Sequence, residues 1–102
     1  MRRVGAFTAG ADHPALPGHF PGRPIVPGVV LLDEVLAAIE AETGLGGAVR
    51  LERVKFASPV GPGEEVAILL GPVRDGTVGF ACVAGERRVL AGTAAFPVAE
   101  AA

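Results

Sequence analysis

Gly28-Val29-Val30-Leu31-Leu32-Asp33-Glu34-Val35-Leu36-Ala37-Ala38-Ile39-Glu40-Ala41-Glu42-Thr43 follows a Pro27 and runs into a Gly44. Proline is tolerated where a helix begins, and a glycine just past the last turn ends it, so the stretch predicts one helix over residues 28 to about 43. Val29 to Leu32, then Val35 to Ile39, leave almost no polar face in its first three turns. A helix apolar nearly all round is buried nearly all round, so other elements must wrap it.

Those elements flank the helix in sequence. Before it, Arg2 to Ala9 reads as a short strand, with Val4, Ala6 and Thr8 alternating against Gly5 and Phe7. After it come four more, Ala48–Ser58, Glu65–Val73, Thr77–Ala84 and Glu86–Phe96, with turns at Pro59–Gly63, Asp75-Gly76 and Gly85. Asp-Gly between alternating apolar runs is a strong hairpin signal. Val49 and Leu51 have one parity, Val54 and Phe56 the other, which predicts a bulge near Arg53. One helix wrapped by an antiparallel sheet of about five strands is an α+β architecture in a single domain spanning residues 1–102. With no second helix to cover it, the sheet is expected to gain cover from a partner subunit.

Composition narrows the function. The chain has 102 residues, half of them hydrophobic, with 9 basic and 11 acidic side chains and a net charge of −2. This excludes wholesale disorder and gives no electrostatic reason for nucleic-acid binding. No apolar run reaches the roughly 18–20 residues of a membrane span, and the basic start lacks a signal-peptide core. A lone Cys82 cannot form an internal disulfide and suits a reducing compartment. The expectation is a small, soluble, cytoplasmic protein.

Between the first strand and the helix lies the run from Asp12 to Gly28, which holds five of the nine prolines, at Pro14, Pro17, Pro21, Pro24 and Pro27. Proline excludes helix and central strand there, yet Leu16, Phe20, Ile25 and Val26 make it too apolar for a plain linker. Long ordered loops are usually functional. Within it His19 stands between Gly18 and Phe20, and an ordinary imidazole pKa of about 6.5 leaves it largely neutral at pH 7, as a general base requires. On that evidence alone a histidine without a role is the plainer reading. Asp33 shares a helix face with Val30 and Ala37, where desolvation would raise its pKa and allow proton donation near neutrality. Asp33 and Glu34 equally suit an exposed stripe favoured by the helix dipole, and Glu34, in line with Ala38 and Ala41, fits that better. Pro27-Gly28 leaves the helix N-terminus uncluttered, so its free N–H groups are open to a carbonyl oxygen.

Taken together, Gly18-His19-Phe20-Pro21-Gly22-Arg23-Pro24-Ile25-Val26-Pro27-Gly28-Val29 closely resembles the central motif of the beta-hydroxyacyl-acyl carrier protein dehydratases, enzymes of fatty-acid synthesis with the hot-dog fold. A second run, Val54-Lys55-Phe56-Ala57-Ser58-Pro59-Val60-Gly61-Pro62-Gly63-Glu64, is similar to the strand and turn after that family's helix. The resemblance covers roughly His13 to Glu65. It implies a sheet wrapped around a central helix, His19 as catalytic base and Asp33 as catalytic acid. It also implies Gly28 as the backbone N–H that binds the thioester carbonyl, with Phe20, Pro27 and Val29 as further substrate-binding residues. Each site of the implied homodimer combines the histidine of one subunit with the acid of the other. The substrate is an acyl thioester on acyl carrier protein or coenzyme A, with no metal and no organic cofactor, and no nucleic acid or membrane as partner.

The chain departs from the family in three ways. Only 18 residues precede His19, Ala37 stands where many members have Gln, and there is no Tyr to gate a tunnel. These features resemble short accessory dehydratases of specialised lipid or polyene pathways. Two other readings stay open: a hot-dog thioesterase, and a non-catalytic acyl-binding homologue.

Overall fold

The computed structural model describes residues 1–10 and 25–97. Its elements are β1 (Arg2–Thr8), α1 (Gly28–Thr43), β2 (Arg50–Phe56), β3 (Glu65–Arg74), β4 (Thr77–Ala84) and β5 (Arg87–Ala95). The five strands form one antiparallel sheet in the order β1-β3-β4-β5-β2, so β1 and β2 are its edges. One helix on a five-stranded antiparallel sheet is the hot-dog architecture. No helix among the described residues is long and apolar enough to cross a membrane.

Local chemistry sets the boundaries. Gly44 ends α1 in the left-handed region (φ 79°), where its N–H donates to Glu40 O at 2.9 Å. Asp75 and Gly76 both take positive φ (52° and 72°), the pair a two-residue β3–β4 hairpin turn requires. The parity change in β2 is a bulge: Arg53 has φ 55°, and the β2–β5 register shifts between Glu52 and Lys55.

Leu31, Val35 and Ile39 recur every four residues along α1 and are the helix's buried side chains. They meet Val66, Ile68 and Leu70 of β3, Val78, Phe80 and Cys82 of β4, and Val89, Leu90 and Ala94 of β5 in one core. Each such aliphatic side chain contributes roughly 1.5–3 kcal/mol by leaving water. Burial pushes the Cys82 thiol up to about 11, so it stays protonated and inert at neutral pH.

The helix is not wrapped all round, contrary to the expectation from its composition. Val29 is 63% exposed, and Asp33 and Ala37 are exposed in line with it. A helix turns about 100° per residue, so Asp33 lies about 200° around the axis from Leu31, away from the sheet. The Glu34 assignment is reversed as well: Glu34 is partly buried, whereas Asp33 is exposed. The chain's own sheet covers one helix face and leaves an apolar stripe with a carboxylate in its middle.

Candidate active site

Two open clefts flank the two ends of α1. The larger, of about 650 Å³, lies against the C-terminal end, between Glu42, Thr43 and Leu45 on one side and Met1, Arg2 and Leu70–Val73 on the other. Its polar side chains are satisfied within the chain. Arg2 pairs with Glu42 at 3.1 Å, and the Thr43 hydroxyl donates to Ile39 O at 2.6 Å while accepting the Leu45 N–H at 3.1 Å. Nothing there waits for a ligand.

The smaller cleft, of about 380 Å³, lies at the N-terminal end and is lined by Ile25, Val26, Gly28, Leu31 and the run Phe56 to Val60. Its walls are held by backbone bonds. The Val26 N–H donates to Val60 O at 2.7 Å, seating the chain before the helix against the turn after β2, and both residues are buried. The Ala57 N–H donates to Val89 O at 2.8 Å and fixes the end of β2 over β5. Below it, Glu64 accepts the Gly61 N–H at 3.0 Å and pairs with Arg87 at 2.8 Å. Those two donors, the Gly61 amide first and Arg87 next, hold the Glu64 carboxyl below the usual carboxylate range.

At the mouth of this cleft α1 begins without a side-chain cap, because its N-cap residue is Pro27. The Val30 N–H donates to Pro27 O at 3.0 Å, whereas the Gly28 and Val29 N–H groups have no acceptor among the described residues. Two amides without an acceptor among the described residues, at the positive end of a helix dipole and with Gly28 on an apolar cleft, suit a carbonyl oxygen that acquires negative charge. Gly28 also lets the exposed Phe56 ring lie close: a Cβ there would come within 2.5 Å of Cε1 and make the ring move aside.

Gly28 lines the cleft, and Pro27 and Val29 flank it in sequence. Asp33 belongs to the outward stripe and is not among the residues lining the cleft of its own chain. His19 and Phe20, with Arg23 and the rest of residues 11–24, lie outside the described residues. Phe56, Ser58 and Val60 join the site although sequence reasoning did not single them out as site residues. The signal was the β2 parity change, since the bulge at Arg53 is what turns the end of β2 toward the helix. Among the described residues no cluster of three or more His, Cys, Asp or Glu side chains forms that could hold a metal ion.

A family model described as the ApeI dehydratase matches residues 2–93, which is nearly all of the chain. This chain belongs to the ApeI-like dehydratase family. Members of a broader group match as well. The 3-hydroxyacyl-acyl-carrier-protein dehydratase FabZ of Rhizobium rhizogenes is 37% identical over 71 residues, covering 62% of this chain and 45% of that protein. The FabZ of Thermomicrobium roseum is 35% identical over 100 residues, covering 84% of this chain and 66% of its own. This chain spans about half the length of several of these curated relatives. Among solved structures, the dehydratase heterocomplex ApeI:P from Xenorhabdus doucetiae superposes with a TM-score of 0.78 at 21% identity, covering 91% of this chain and 84% of that one. An uncharacterised protein from Erwinia carotovora gives 0.69 at 24% identity, covering 90% and 79%. These two likenesses show the shared hot-dog fold.

Proposed function

We propose that this chain removes water from 3-hydroxyacyl thioesters to give trans-2-enoyl thioesters, acting as a hydro-lyase in fatty-acid or related lipid synthesis in the cytosol. The observation that carries the reading is the uncapped start of α1. It presents the Gly28 amide, which has no acceptor among the described residues, at an apolar cleft, in a chain whose family is described as a dehydratase.

In this reading the thioester carbonyl accepts a hydrogen bond from the Gly28 N–H while Val29 and Pro27 border the acyl group. Neutral His19, beside Phe20, removes the α-proton, and electron density moves onto the carbonyl oxygen as an enolate stabilised by that amide. Asp33 gives a proton to the departing β-hydroxyl, and water leaves. An oxyanion donor contributes about 10²–10³-fold and general acid–base catalysis about 10²–10⁴-fold.

Asp33 faces away from the cleft of its own chain, which supports a homodimer in which each subunit lends Asp33 to its partner's cleft. The exposed Val29 and Ala37 on either side of it would then be covered by the second subunit. Acyl carrier protein or coenzyme A carries the substrate.

The test is hydration of a short enoyl thioester, the reverse reaction. The unsubstituted protein should hydrate it, and His19→Ala and Asp33→Asn should each lower the rate at least 10²-fold while staying folded. Full activity in either variant contradicts the assignment. A second reading, a non-catalytic member of a complex, is favoured by the likeness to the Xenorhabdus protein, which is a dehydratase heterocomplex. It predicts no hydration by the protein alone and turnover only with a second chain.

A further inference from the structure

We infer that Ser58 contacts substrate: its hydroxyl holds an oxygen of the acyl group inside the cleft and makes the site prefer a 3-hydroxyacyl chain to a saturated one. The inference rests on the acyl-thioester reading above and adds a residue to it.

Around this cleft Ile25, Val26, Leu31, Phe56, Pro59 and Val60 present apolar side chains. Ser58 supplies the one side-chain hydroxyl among the described residues lining it. That hydroxyl makes no hydrogen bond with any described residue. Its backbone is fixed: the Ser58 N–H points to Val89 O at 3.4 Å beside the shorter bond from Ala57, and Pro59 holds the preceding residue extended. Ser58 is partly buried and rigidly mounted, on the same cleft as Gly28, and among the described residues neither its hydroxyl nor the Gly28 amide has a partner. The larger cleft at the other end of α1 differs in this respect, because its Thr43 hydroxyl is already engaged twice.

A saturated acyl chain entering the smaller cleft strips water from Ser58 Oγ and returns nothing. A chain bearing an oxygen at C3 replaces the lost hydrogen bond. A site whose hydroxyl loses its water to the incoming ligand thus rejects the ligand that lacks a partner for it more strongly than an apolar site can.

Binding of two non-reactive analogues, the pantetheine amides of 3-hydroxyhexanoate and of hexanoate, measured by calorimetry, tests this. The unsubstituted protein should bind the hydroxylated analogue about tenfold more tightly. Ser58→Ala and Ser58→Val should lose most of that ratio by weakening the hydroxylated analogue alone, and Ser58→Thr should keep it. Thr and Val have the same shape, so their comparison isolates the hydroxyl from any packing change. An equal ratio in the Thr and Val variants overturns the inference. Failure of the unsubstituted protein to bind either analogue overturns the acyl-thioester reading beneath it.

Discussion

A methyl group at position 28 would sit 2.5 Å from one carbon of the Phe56 ring and 2.7 Å from the next, inside any tolerated contact. Glycine there lets the ring close against the first turn of α1 while the amide stays uncovered. Pro-Gly at a helix start was readable from the chain alone, but its partner was not. Phe56 reaches Gly28 only because a bulge three residues earlier changes which way β2 faces. A second residue carries a pH-dependent consequence. Glu64 titrates below the ordinary 4.5 in the folded chain because Gly61 and Arg87 donate to its charged form. A lowered folded value means that the bond's contribution is fully present above the unfolded pKa and is lost as pH falls through the folded one. The pair is half-exposed, so its worth is at most about 1 kcal/mol. Glu64→Gln should therefore unfold at a slightly lower temperature than the unsubstituted protein at pH 7. The gap should narrow as the pH is lowered past 4.5 and through the folded pKa, where the carboxyl takes up its proton, as thermal melts from pH 7 downward would show.

Among the elements, β2 depends on an irregularity. Positive φ at Arg53 adds one residue against β5 and brings Val54 over Gly92, which lies opposite the bulge in the register. A Cβ at position 92 would lie 2.9 Å from Cζ of the buried Phe80 and 3.1 Å from the Val54 backbone. Neither neighbour can withdraw, since one is core and the other main chain. Gly92→Ala should cost roughly 1–3 kcal/mol in chemical denaturation, whereas Gly5→Ala in β1, where a Cβ meets nothing within 4 Å, should change stability little. The bulge was legible because apolar parity switches between Leu51 and Val54. The environment of α1 was less so. Apolar residues all round a helix show that it wants cover, but they do not say which part its own sheet supplies. Hydrophobicity placed Asp33 beside Val30 and Ala37. Only the four-residue spacing of Leu31, Val35 and Ile39 against the sheet shows that Asp33 looks outward.

At the scale of the molecule, the strand number, the antiparallel pairing and the single helix all follow from local patterns, and they stand. The site was legible in part. The residues quoted as one motif share a stretch of chain, but the proposed acid belongs to a surface that a single subunit leaves open. A second subunit set against the stripe of Val29, Asp33 and Ala37 would cover that apolar surface and bring Asp33 to a foreign cleft. His19→Ala and Asp33→Asn, each inactive alone, can then rescue one another. A mixed dimer has one site with both groups intact and one with neither, and random exchange makes half of the dimers mixed. Hydration of a short enoyl thioester by an equimolar, reassembled mixture of the two variants should therefore recover about a quarter of the unsubstituted activity. A mixture that stays as inactive as its components, under conditions where subunits exchange and the unsubstituted protein is active, would contradict the shared site.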